Sequence, residues 1–302
     1  MSKKFQNMDA DESIFFAREL ESVKAKSYDV QYPLLKARKL FPVSGEAGPG
    51  AETIKYEQYD MVGMAKLISS YADDLPRADV KGKEFISSVK SLGASYGYNL
   101  QEIRAAKMAG KPLAVKRANA AKESVLRKED YLAFYGDSDN NIQGFFSNAN
   151  ISNVTPITGT WSGATADQIL ADLNKLVNSV SEATKGVETP DTLLLPLTLF
   201  NIVSTKRIGV DSNMTVLKYF LETTPYIKSV DWLNQLETAG TGSTKQAMVY
   251  NRNPDKLTME IPQDFEQLEE QSKGLEYVVP CHSRFGGVLV YYPLSVAKMY
   301  GL

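Results

Sequence analysis

Residues 99–137 read NLQEIRAAKMAGKPLAVKRANAAKESVLRKEDYLAFYGD, and the fold follows from how this stretch is parsed. Asn99 is a good helix N-cap, and Glu102 three positions later completes a capping box, each side chain accepting from the other's backbone N–H. The helical pattern runs to Met108, breaks at Gly110-Lys111-Pro112 and resumes from Leu113 to Tyr135. Pro112 has no amide hydrogen, so a kink or a fresh helix start is expected there. Gly136-Asp137 ends the element. Its charge is lopsided: between 99 and 128, the bases Arg104, Lys107, Lys111, Lys116, Arg117, Lys122, Arg127 and Lys128 stand against Glu102 and Glu123, a local balance of +6. Two readings stand, a solvated stripe or a surface turned toward phosphate without sequence preference. No aromatic residue interleaves with these bases, so base stacking is not expected.

Upstream the chain is extended. Ile54, Tyr56 and Gln58 alternate with Thr53, Lys55, Glu57 and Tyr59, Met61 to Ile68 continue toward Tyr71, and Asp73-Asp74-Leu75-Pro76 closes the segment. This predicts a long two-stranded hairpin over residues 51–75. A short strand at Glu84–Val89 and a Gly-spaced stretch through Gly93 and Gly97 lead into the helix. An isolated two-stranded ribbon is marginal in water, so a neighbouring molecule is expected to stabilise it. Residues 1–50 read as an arm. A helix capped by Asp9 or Asp11 carries Ile14, Phe15, Leu20 and Val23 and runs through Lys24. Lys26 to Leu40 turns extended because Pro33 disfavours αR at Tyr32, and Phe41 to Gly50 is a Gly/Pro breaker run. Such an arm buries little of itself and is expected to lie on another domain or subunit.

Downstream, Asn140 to Asn153 reads as loop and hairpin, and the chain changes character near Trp161. Thr165-Ala-Asp167-Gln168 is a capping box, and Ile169, Leu170, Leu173, Leu176, Val177 and Val180 follow at helical spacing until Gly186. Thr192–Leu195 is a short buried strand, Pro196 starts a helix through Val203, and a third helix spans Val216–Leu221. Strands are predicted at Ile227–Val230, Gln246–Tyr250, Leu257–Ile261, Tyr277–Val279 and Val288–Tyr292. Helices on a mixed sheet give an α+β or α/β lobe. There is no internal repeat.

Composition removes many functions. Over 302 residues, 34 bases and 36 acids leave a net charge of −2, which excludes a globally basic nucleic-acid coat or an acidic disordered tail. A single cysteine, Cys281, precludes an internal disulfide or a thiolate zinc cage, and a single histidine, His282, excludes any site needing two imidazoles. No metal or cofactor is expected. Met1 leads straight into charged residues without an apolar h-region, so no secretory leader is expected and the chain is read as made inside the cell. No stretch has the length and apolarity of a bilayer span, and no membrane contact is expected.

Individual motifs of catalysis fail. Gly240-Thr-Gly242-Ser-Thr-Lys245 lacks the spacing of a phosphate loop and reads as a loop between strands; there is no Gly-x-Ser-x-Gly elbow. Cys281 and His282 are the only nucleophile–base pair on offer, and adjacent residues in a strand point to opposite faces, so they form no dyad there. The acids Asp255, Glu260, Asp264, Glu266, Glu269, Glu270 and Glu276, against Lys256 and Lys273, read as a solvated face. A catalytic site is not expected, and a cytosolic small-molecule enzyme is the remote alternative.

The order of parts, and local sequences along it, resemble one family. They are Tyr28-Asp-Val30-Gln-Tyr32-Pro33, Phe41-Pro42-Val43, Tyr59-Asp60-Met-Val-Gly63-Met-Ala65-Lys66 and Gly110-Lys-Pro112-Leu113 ahead of a helix ending Tyr135-Gly136-Asp137. Asp191-Thr-Leu-Leu-Leu195-Pro196 and Val279-Pro280-Cys-His-Ser-Arg284-Phe285-Gly286-Gly287-Val288, with Tyr292-Pro293-Leu294, complete the set. The chain resembles a branch of the tailed-bacteriophage major capsid proteins, from about Phe15 to Leu302. The resemblance implies an α+β fold of N-terminal arm (1–50), E-loop (51–82), P-domain with spine helix (83–159), A-domain (160–260) and C-terminal strands of the A- and P-domains (261–302). The return to the P-domain falls between Arg252 and Tyr277.

The function it implies is assembly: hexamers and pentamers tiling an icosahedral head around packaged double-stranded DNA, in a virion built in a bacterial host. Implied partners are other copies of the chain, a separate scaffold protein (the arm being short for a fused one), the portal, the DNA through non-specific electrostatics, and in some relatives a decoration protein. Within this frame Arg104, Lys107, Lys111, Lys116, Arg117 and Lys122 are the expected DNA-facing inner wall. An encapsulin-type shell around protein cargo shares the fold and is the rival reading.

Overall fold

The computed structural model describes residues 32–63, 77–109, 113–209 and 213–302, and it divides the chain into two units, Met1–Leu34 and Leu35–Leu302. Of the first unit only residues 32–34 are described, without helix or strand. The expected arm helix through Lys24, the hairpin segment 64–76 and the break at Gly110-Lys111-Pro112 lie outside the described residues.

The second unit opens with one helical turn, α1 (Ala37–Leu40), where extended chain was expected through Leu40. The turn forms because a distant carboxylate caps it: the N–H groups of Lys36 and Ala37 both donate to Asp130 Oδ1 at 2.9 Å. Sequence spacing cannot reveal a cap that lies elsewhere in the chain. After β1 (Val43–Ser44) come the two strands of the hairpin, β2 (Thr53–Val62) and β3 (Asp79–Ser88), antiparallel from Thr53↔Ser88 to Val62↔Asp79. The closing strand therefore lies later than the Met61–Tyr71 segment expected for it, and the separate strand predicted at Glu84–Val89 is the root of β3. Lys81, Gly82, Lys83 and Glu84 give β3 no apolar alternation, so only its ladder with β2 identifies it.

The Gly-spaced stretch is also a strand, β4 (Lys90–Asn99). Two helices follow, α2 (Leu100–Ala109) and α3 (Leu113–Tyr135). Both halves of the expected capping box are present. The Glu102 N–H donates to Asn99 Oδ1 at 2.7 Å, and the Asn99 N–H donates to Glu102 Oε2 at 3.2 Å. Gly136 leaves the helix at φ 71°, in the left-handed region open to glycine.

Next come β5 (Ser152–Asn153), α4 (Ala166–Ala183), β6 (Thr192–Pro196), α5 (Leu197–Thr205) and α6 (Val216–Thr223). The Thr165–Gln168 capping box starts α4 as its spacing predicts. The chain then alternates strands and turns: β7 (Ser229–Leu233), β8 (Gln246–Tyr250), β9 (Leu257–Glu260), β10 (Gln263–Gln267), β11 (Gln271–Lys273), β12 (Glu276–Phe285), β13 (Gly287–Val290) and β14 (Val296–Tyr300). Three of these, β10, β11 and β14, were not anticipated, and β12 is far longer than the predicted Tyr277–Val279.

A five-stranded mixed sheet, in order β5-β14-β8-β6-β7, is the central wall. Successive residues of a strand face opposite sides, so this wall divides two cores. Leu194, Met248, Tyr250 and Val296 face one, with Phe41, Phe134, Phe145 and Phe285. Leu193, Leu195, Ala247, Val249 and Met299 face the other, under Ile169, Leu173, Leu176 and Val180 of α4 and Phe220 of α6. Fully burying each such side chain stabilises the fold by roughly 1.5–3 kcal/mol. Asp172 of α4 is completely buried and accepts from Trp161 Nε1 at 3.0 Å and from the N–H groups of Ile157 and Thr158 at 2.6 and 3.4 Å. It pins the 157–161 loop to the helix.

A separate ribbon sheet joins β4, β12, β10 and β11, with β4 and β12 in register from Lys90↔Phe285 to Asn99↔Glu276. One acid of the predicted solvated face departs from it. Glu260 is buried at 3% exposure, and it accepts from Thr258 Oγ1 at 2.6 Å and from the Tyr291 hydroxyl at 3.4 Å.

Candidate functional site

The basic helix and the hairpin carry the surfaces of interest. Of the six expected inner-wall bases, Arg104, Lys116 and Lys122 are exposed. Lys111 and the side chain of Lys107 lie outside the described residues. Arg117 is engaged internally. Its guanidinium donates to both oxygens of Glu102, at 2.9 and 3.0 Å, and to the Gly97 carbonyl at 2.5 Å. The Arg117 bonds, with the Asn99 N–H, hold the Glu102 carboxyl below its ordinary range. Arg127 pairs with Glu123 at 3.2 Å, and the Lys128 ammonium sits over the Tyr131 ring.

Helical geometry spreads the remaining charge. Ala121, Val125 and Leu132 form the buried stripe of α3. Lys116 and Lys122 are six residues apart, hence about 120° apart around the axis. Lys122 lies near enough to Asp264 to help depress that carboxyl, although the Arg38 hydrogen bond is the larger cause.

The hairpin is fixed at its root and open beyond. Tyr56 stacks on Phe85 with ring centroids 5.0 Å apart and meets Tyr291 edge-on at 4.9 Å, while Ser87 Oγ donates to the Gly286 carbonyl at 3.2 Å. A Cβ on Gly286 would come within 2.9 Å of Ile54, so glycine there lets the hairpin root close onto the body. Farther out, Tyr59, Met61 and Val80 share one face, with Ile86 of the same face at the root, and all four are more than half exposed. Tyr59 lies across Gly82. A ribbon with this much exposed apolar surface is an interaction surface.

The catalytic alternatives do not assemble. Cys281 is buried in β12, and burial pushes its thiol up; His282 faces the opposite side of the strand. Residues 240–244 form a bridged turn ahead of β8, with Gly242 and Ser243 at positive φ. Among the described residues no group of three His, Cys, Asp or Glu could hold a metal, and no helix is long and apolar enough to cross a membrane.

The major capsid protein family model matches residues 63–301, most of the chain. The protein belongs to the major capsid protein family. Its fold is that of the capsid of Myoviridae phage XM1, at a TM-score of 0.85 and 19% identity over 96% of this chain and 99% of that one. Mycobacterium phage Adephagia gives 0.63 at 13% identity, covering 95% and 98%. A virus-like particle from Pyrococcus furiosus gives 0.57 at 13%, covering 86% and 90%. No curated protein matches the chain. The family is structural and not enzymatic, and it places the chain in the capsid of the virion.

Proposed function

We propose that the chain tiles hexamers and pentamers of a closed icosahedral head around packaged double-stranded DNA. The observation that carries this reading is the hairpin, anchored at Tyr56, Phe85 and Gly286 and presenting Tyr59, Met61 and Val80 outward. In this reading residues 1–50 are the arm, 51–82 the E-loop, 83–159 the P-domain, 160–260 the A-domain and 261–302 the C-terminal strands. The arm ahead of Lys36 and the E-loop lie on neighbouring subunits, while residues 36–44 pack on their own subunit, and many weak contacts per subunit close the shell by avidity. A separate scaffold protein, the portal and, where present, a decoration protein complete the assembly.

Arg104, Lys107, Lys111, Lys116 and Lys122 form the cationic inner wall, holding DNA by sequence-independent, salt-sensitive contacts. Arg117 contributes to the wall only indirectly, through its bonds to Glu102 and Gly97. The test is charge reversal. Arg104→Glu, Lys116→Glu and Lys122→Glu together should reduce DNA retained per particle while empty shells still form. Loss of all shells would make the helix a packing element and remove the DNA role. Purified shells carrying protein cargo in place of DNA would favour the encapsulin-type reading.

A further inference from the structure

Lys36–Phe41 reaches into four other parts of the fold. The Lys36 ammonium lies 2.7 Å from Asp231 Oδ1 and 3.5 Å from the centre of the Trp232 ring, and it also donates to the Trp232 carbonyl. Arg38 bridges Glu129 and Asp264, each at 2.7 Å, and Lys39 reaches Asp231 Oδ2 at 2.8 Å. Asp130, which caps the turn, also accepts from Gln235 Nε2 at 3.1 Å, and the Tyr250 hydroxyl donates to the Leu40 carbonyl at 2.9 Å. One helical turn thereby ties the end of α3 to β7, to β8 and to β10. Beneath these bonds Ala37, Leu40 and Phe41 are buried in the first core.

A four-residue helix has no stability of its own, so α1 exists through these partners. The Lys36–Asp231 pair is nearly buried, with side chains 8% and 13% exposed. A pair of this kind adds little net stability, because desolvation offsets its attraction, and an apolar pair of similar volume often serves as well. What directional bonds to several elements add is a fixed relative placement. We propose that Lys36–Phe41 is a strap that sets the registration of the α3 end against the five-stranded sheet, and that loosening its cationic ties lets these parts shift while each stays folded. The inference rests on the fold alone and stands apart from the shell reading.

Hydrogen exchange on the full chain tests it. In a Lys36→Met/Arg38→Met variant, amides of residues 36–41, 129–135 and 229–237 should exchange at least tenfold faster, with α4 and β6 within twofold of the parent. Unchanged exchange at those three segments would overturn the strap, as would an equal rise in α4 and β6. A Lys36→Met/Asp231→Leu variant separates registration from stability. It should melt close to the parent yet keep the fast exchange at 229–237; recovery of parental protection there would reduce the ties to ordinary packing and overturn the proposal.

Discussion

Arg117 grips both carboxylate oxygens of Glu102 at 2.9 and 3.0 Å, locking α3 to the capped start of α2 across residues 110–112. The pair converts one base of the +6 helix from a surface charge into a fastening. Arg117→Met should therefore lower the melting temperature of the unassembled chain, and Arg117→Lys should recover only part of the loss, since an ammonium cannot make the two-pronged contact. Arg104→Met, at an exposed position of α2, should leave the melt unchanged. Equal effects of Arg117→Met and Arg104→Met would contradict the distinction.

Gly136 and Gly144 approach too closely for any side chain. A Cβ on Gly136 would lie 2.5 Å from the Gly144 nitrogen, and one on Gly144 would lie 2.2 Å from the Gly136 nitrogen. Gly136 also sits at φ 71°. Gly136→Ala should destabilise by about 2 kcal/mol or more, read by urea titration. Gly159→Ala, at φ 77° but with nothing within 4 Å of a Cβ, should cost only the left-handed backbone strain of about 1 kcal/mol, and a loss equal to that of Gly136→Ala would contradict the role of the close approach.

Asp172→Ala should cost roughly 2–4 kcal/mol, because it leaves the Trp161 indole N–H and the Ile157 and Thr158 amides without their shared acceptor. A loss below 1 kcal/mol in the same titration would mean that the loop finds other partners.

Acid should weaken the strap. Burial raises the Asp231 carboxyl, but the bonds from Lys36 and Lys39 outweigh it and leave the group below its ordinary range. Arg38 holds Asp264 low in the same way. Carboxyls depressed in the fold contribute stability that is present above the unfolded value, about 4, and is lost as pH falls through the folded value. Asp130 runs the other way: burial raises it, so its protonated form is favoured in the fold and opposes part of that loss. Urea midpoints of the unassembled chain should fall between about pH 5 and pH 2, and Lys36→Met/Arg38→Met should flatten the slope. An identical slope in parent and variant would contradict this assignment.

Features written locally were legible in the sequence. Asn99 with Glu102 and Thr165 with Gln168 mark two helix starts by spacing alone, and both capping boxes are made. Features written by a partner were not. The stretch through Gly93 and Gly97 reads as Gly-spaced chain, yet β4 is a full strand because β12 pairs with it residue by residue. Asp79–Ser88 is too polar to announce itself, and Glu260 looks like its solvated neighbours until Thr258 and Tyr291 enclose it. The same limit applies to the basic helix. Composition shows the +6, but only the fold reveals that Arg117 is spent on Glu102 and that Lys116 and Lys122 point apart.

The measurement closest to the central claim is size-exclusion chromatography with light scattering on the full chain, followed by negative-stain microscopy of the largest species. Capsomers, tubes or closed shells, formed alone or once the scaffold protein is supplied, are the predicted result. A chain that stays monomeric even with that scaffold present would contradict the account.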